Sequence, residues 1–112
     1  MKAYKKGVLS MFKKSKYLIT LRENDNIVFK EKEGYSFSVN DLHFGICKSG
    51  NAWAITEMSS GLLVAHTLKR KDAIVEIKRI APSIETALKS TYNKKLIKMV
   101  QEEHEKRSHR TS

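Results

Sequence analysis

Apolar and polar residues alternate through the first two thirds of the chain, and then the apolar spacing becomes helical. "YLITLRE" and "IVFKEKE" read as two strands joined at Asn24-Asp25-Asn26, residues that tolerate the positive backbone angles of a tight turn. Gly34 permits a further bend before "YSFSV", in which Tyr35, Phe37 and Val39 alternate with serines as on a half-buried strand. Asn40-Asp41 marks the next turn. Leu42, Phe44 and Ile46 alternate, Ser49-Gly50-Asn51 reverses the chain, and Trp53 and Ile55 alternate in their turn. Ser59-Ser60-Gly61 reverses it again before the run Leu62 to Leu68. The pattern predicts an antiparallel meander of about four to five strands.

The last of these runs leads straight into "HTLKRKDAIVEIKRI", where Ala73, Ile74, Ile77, Ile80 and Ala81 form one stripe about 120° wide at 100° per residue. That stripe is expected to pack on the sheet. Pro82 should end or kink this helix, with Ser83 capping a successor that carries Ile84, Leu88, Tyr92, Leu96, Met99 and Val100. At the other end, Tyr4, Val8, Met11 and Phe12 have helical spacing among lysines, which predicts a short amphipathic helix weakened by Gly7. The expected fold is α+β, a small meander with two C-terminal helices on one face. Residues 1–16 would be a basic arm or short helix, 17–106 a single domain and 107–112 a polar tail.

Composition agrees with a globular domain: 40% hydrophobic and 30% charged residues with one proline is not the make-up of a disordered chain. At 112 residues the core is large enough to need no metal or disulfide staple. Cys47, the single cysteine, has no internal partner, nothing resembles a secretory signal, and no run approaches the ~20 apolar residues of a membrane span. These features point to the cytoplasm.

Charge changes the picture more. The formal net charge is +10, of which residues 1–16 supply +6 and residues 67–101 another +6, while 17–66 carry −2 and 102–112 balance. Such asymmetry points to an anionic partner. Lys69, Arg70 and Lys71 stand where the first turn of the helix is expected, the positive end of its dipole, where cations are unfavourable by a few tenths to about 1 kcal/mol. Their presence makes sense if an anion binds there. On the same helix Asp72 and Glu76 share a flank with Lys69 and Arg79, whereas Lys78 would project with Lys71 from the opposite flank without an acid beside it. Lys94 and Lys98 would extend the basic surface along the second helix, and Lys5, Lys6, Lys13 and Lys14 would add to it from the arm.

No catalytic constellation is visible. His43 and Cys47 lie about 13 Å apart along a strand at ~3.3 Å per residue, too far for a nucleophile and its base. Asp41 and His43 could touch at i, i+2, with His66 approaching across the sheet, but an isolated histidine in a strand is more often structural or exposed than catalytic. There is no Cys-x-x-Cys or His-Glu-x-x-His, His104 and His109 do not share a helical face, and Gly45, Gly50 and Gly61 are scattered rather than gathered into a phosphate loop. Neither enzyme activity nor a metal or cofactor is expected.

The reading is therefore a small basic binding protein contacting DNA or RNA through phosphates. Lysine outnumbers arginine 17 to 5, and lysine meets phosphate as a point charge without reading base edges, so little sequence preference is expected. Tyr35, Phe37, Phe44 and Trp53 would stack bases if exposed but are more usually core, Trp53 above all. The lysine excess, with many Ile and Asn residues, resembles products of AT-rich Gram-positive genomes and their mobile elements. The alternative partner is accordingly a host nucleoprotein enzyme, bound by the chain as an anti-CRISPR-like inhibitor of phage or mobile-element origin. Membrane-surface attachment through the N-terminal lysines and Phe12 is a lesser reading.

Overall fold

The computed structural model describes residues 12–110. The N-terminal segment for which a helix is expected, with Lys5 and Lys6, lies outside them. Five strands form one antiparallel sheet in sequence order: β1 (Lys13–Glu23), β2 (Asn26–Val39), β3 (Leu42–Ser49), β4 (Ala52–Glu57) and β5 (Leu62–Thr67). A single 3₁₀ turn (Arg70–Asp72) leads to helices α1 (Ala73–Leu88) and α2 (Thr91–Arg110). The α+β meander followed by two helices is the expected fold.

The turns are made as their residues suggest. Asn24 and Asp25 have φ of 49° and 65°, and Asn40 and Asp41 have 51° and 67°, which gives two tight hairpins with the backbone twist that strand pairs prefer. Gly34 makes no separate turn: β2 runs through it, pairing with β1 along its whole first part and with β3 from Tyr35 onward. Opposite Ile55 and Thr56 the register of β5 slips between Ala65 and Leu63, so Val64 is the extra residue of a bulge that interrupts this edge strand.

One sheet face and the apolar stripe of α1 make the core, in which Phe44, Ile46, Ile55 and Ile77 are fully buried with Phe37, Val39, Ala73, Ile74, Ala81 and Ile84 around them. Each such large side chain contributes roughly 1.5–3 kcal/mol by leaving water. Part of the opposite face is covered by β1 itself. Gly45, whose neighbours Phe44 and Ile46 point into the core, carries the Tyr17 ring where a Cβ would stand, 2.6 Å from the ring atoms. The Thr20 N–H and hydroxyl donate to the carbonyls of Gly61 and Ser60 at 2.8 and 2.7 Å. The sheet thus coils until its first strand meets the turn before its last. Gly61 has φ +72° and lies against Thr20, so both its conformation and its lack of a side chain are used.

The β4–β5 turn is organised by Glu57, buried to 2% exposure. Its carboxylate accepts from the Ser59 N–H, the Ser59 hydroxyl, the Ser60 N–H and the Ser60 hydroxyl at 2.7–3.0 Å. A charge this deep persists only when its lone pairs are filled, as here.

Three expectations about the helices are corrected. Pro82 neither ends nor separates them: α1 runs through it to Leu88, with Pro82 on the exposed side, where water can reach the carbonyl left without a proline N–H. The cap of the second helix is therefore Ser90 rather than Ser83, its hydroxyl accepting from the Asn93 N–H at 3.1 Å while Asn93 Nδ2 closes back on the Ala87 carbonyl at 2.8 Å. Third, α1 starts at Ala73, after the cations, with Asp72 at its N-cap and Glu76 in its first turn, the favourable place for acids. At the domain ends, Lys13 to Lys16 belong to β1 rather than to an arm, and residues 107–110 continue α2 rather than forming a tail. That helix is tied to the β1–β2 hairpin by Arg22 donating to the Tyr92 hydroxyl (2.8 Å) and by Arg107 donating to the Phe29 carbonyl (3.3 Å). No helix among the described residues is long and apolar enough to cross a membrane.

Candidate nucleic-acid interface

The sheet face that α1 covers continues past the helix start. The period of two places Tyr35 in line with Phe37, Trp53 in line with Ile55, and Lys48 in line with Ile46. Cross-strand pairing then sets Lys14 opposite Tyr35 and Lys48 opposite Trp53. Phe37 and Phe44 are buried under α1, whereas Tyr35 and Trp53, beyond its end, are half-buried with their centroids 6.5 Å apart. Trp53 is thus not a full core anchor.

Over these rings lies Arg70. Its guanidinium carbon is 4.3 Å from the Tyr35 ring centroid, 5.3 Å from Phe12 and 5.7 Å from Trp53, and Lys48 Nζ is 5.4 Å from the Trp53 ring. The chain leaving β5 is bent by the Thr67 hydroxyl donating to the Lys69 carbonyl at 2.9 Å, and the 3₁₀ turn then closes with the Asp72 N–H on that same carbonyl. This geometry brings Arg70 back over the sheet and leaves Lys69 and Lys71 exposed on either side.

Phe12, Lys48, Trp53, Leu68, Lys69, Arg70 and Lys71 line an open recess of about 560 Å³. Tyr35 also borders an adjoining groove of about 550 Å³ with Lys14, Lys16 and Glu33. Only Lys16 has a carboxylate near it, Glu33 at 3.5 Å; among the described residues none lies within 4.0 Å of Lys14, Lys48, Lys69, Arg70 or Lys71. Four of these cations line the recess and Lys14 the adjoining groove, which makes this surface positive around its aromatic rings.

Of the residues expected to bind, Lys69, Arg70, Lys71 and Lys14 come together here. Lys13 neighbours Lys14 but, one residue along the strand, belongs to the other face. Lys78 lies exposed on α1 and borders neither groove. Lys94 and Lys98 lie exposed on α2 and border neither groove as well. Glu76 is bound by Arg79 through contacts of 3.0 and 2.7 Å that hold the Glu76 carboxyl below its usual range and raise Arg79. Lys48 and Lys16 were not anticipated, although both sit across from residues that the strand register places at the site.

The other candidate groups are apart from one another. His43 Nδ1 is hydrogen-bonded to the Ser38 hydroxyl at 2.9 Å, and Cys47 and His66 flank Ala54 from neighbouring strands, so they stand roughly 10 Å apart at ~4.8 Å per strand. Among the described residues no three His, Cys, Asp or Glu side chains gather to hold a metal ion. No protein-family model, curated protein or solved structure matches the chain.

Proposed function

We propose that this is a small basic binding protein, not an enzyme, that holds nucleic acid by its phosphate backbone with little sequence preference. The observation that carries the reading is the recess lined by Lys48, Lys69, Arg70 and Lys71, with Lys14 in the adjoining groove, none of them within 4.0 Å of a carboxylate among the described residues. Uncompensated cations in one place attract a polyanion and release its counterions. Lysine supplies most of the charge, and the arginine that could read base edges is laid on aromatic rings instead.

The test is a titration of labelled duplex and single-stranded DNA and RNA across salt concentrations, with the wild type and the double variant Lys69→Gln/Lys71→Gln. Binding should weaken linearly in log–log form, with a slope of about 0.9 per phosphate neutralised on duplex, and the double variant should reduce that slope by about two. Affinity indifferent to salt, or a slope unchanged in the variant, overturns the assignment to this recess.

A further inference from the structure

We infer that the recess seats an unpaired nucleobase, so that its ligand is single-stranded nucleic acid rather than duplex; this rests on the phosphate-binding reading above. A purely electrostatic site needs no aromatic floor. Here two half-buried rings stand 6.5 Å apart at the edge of the core: Trp53 lines the recess with Lys48, Lys69 and Lys71, and Tyr35, which lines the adjoining groove with Lys14, lies beneath Arg70. A phosphate chain on those lysines places its bases toward the rings only if the bases are free. In a duplex they are stacked on each other and paired, and the backbone meets the rim alone.

The seat already holds a flat group. The Arg70 guanidinium lies 4.3 Å from the centre of the Tyr35 ring, with Phe12 and Trp53 beside it, and among the described residues no carboxylate is within 4.0 Å of it. A planar base takes the place of the guanidinium over that ring, and the displaced guanidinium then meets the adjoining phosphate. Stacking is tolerant of base identity, which agrees with weak sequence preference.

Trp53 is the only tryptophan, so its emission reports the seat directly. Full-length protein is titrated with an oligothymidylate, with an abasic strand of the same length, and with the oligothymidylate in duplex with oligoadenylate. Oligothymidylate is expected to bind most tightly and alone to quench Trp53. Anisotropy of a labelled strand should show that Tyr35→Leu and Trp53→Leu weaken oligothymidylate binding roughly five- to 150-fold, the range for one lost base stack, while Trp53→Phe stays within a few-fold of wild type. Neither substitution should alter binding of the abasic strand, a check that the recess is still folded and charged.

Abasic strand or duplex bound as tightly as oligothymidylate, without quenching, overturns the base seat and leaves the phosphate reading standing. Failure of all three ligands to bind at low salt overturns both. Equal loss of abasic and oligothymidylate affinity in the leucine variants also overturns the seat, since it assigns the rings a structural role.

Discussion

The guanidinium carbon of Arg70 lies over the ring of Tyr35, 4.3 Å from its centre, so the middle cation of Lys69-Arg70-Lys71 faces the sheet. This single contact changes the meaning of the basic run. Cations at a helix start are a dipole penalty only if they occupy the first turn, and here that turn begins after them and carries acids.

Arg70→Gln is therefore expected to destabilise the domain by about 1–2 kcal/mol through loss of its ring contacts, lowering the melting temperature by several degrees. Lys69→Gln and Lys71→Gln should each stay within about 0.5 kcal/mol of wild type, as exposed substitutions usually do. Parallel thermal melts decide the matter. A stabilised Arg70→Gln protein would restore the dipole explanation.

Tyr17 gives a pH-dependent signature. Its phenol is buried with no hydrogen-bond partner among the described residues, and burial first, then the adjacent Cys47 thiol, raises its pKa well above the usual tyrosine value. A folded-state pKa above the unfolded one means stability fully present below about pH 10 and lost as pH rises beyond it toward the folded value. Tyr17→Phe should match or exceed wild type at neutral pH, because it removes a buried hydroxyl that bonds to nothing, and should lose less stability between neutral pH and pH ~11. Urea melts at both pH values test this, and an unchanged alkaline loss in the variant would count against it.

How much of this could be read from residues alone differs by element. Strand alternation and the Asn-Asp and glycine turns are local signals, and the meander follows them. The helix boundaries are not local. Pro82 reads as a breaker until the exposed side of α1 is known, and the 3₁₀ turn at Arg70 depends on rings from β2 and β4 and the residue before β1. Lys69, Arg70 and Lys71 stand out as a charge run, but Tyr35 and Trp53 share the face and alternation of Phe37 and Phe44. What distinguishes them is where α1 stops covering the sheet, and no short stretch of sequence encodes that.

The Glu57 carboxylate is expected to be the most sensitive polar group. Glu57→Ala leaves the N–H groups and hydroxyls of Ser59 and Ser60 without their acceptor and should cost about 3–5 kcal/mol. Glu57→Gln, which keeps an acceptor oxygen, should cost less. Denaturant midpoints rank the two, and an equal loss would mean that the charge rather than the hydrogen bonding matters.

Gly45 and Tyr17 should be energetically coupled. Gly45→Ala drives a methyl group into the Tyr17 ring and is expected to cost more than about 2 kcal/mol in wild type but much less in a Tyr17→Leu background, where the ring is gone. A double-mutant cycle measures the difference. Additive losses would mean that the ring moves aside freely.

The closure of β1 on the β4–β5 turn bears on how the domain assembles. The Thr20 hydroxyl reaches the Ser60 carbonyl across a sequence separation of 40 residues, and the ring packed on Gly45 also comes from the first strand. During synthesis β1 emerges first yet has nothing to close against until the turn at Gly61 has followed it. The entropy of closing that loop must be met before its contacts form, a topology that places folding nearer milliseconds to seconds than microseconds. Until then the hairpin of β1 and β2 waits with the Tyr17 side of its sheet open to solvent, and the nascent chain is most exposed to misassociation over that interval.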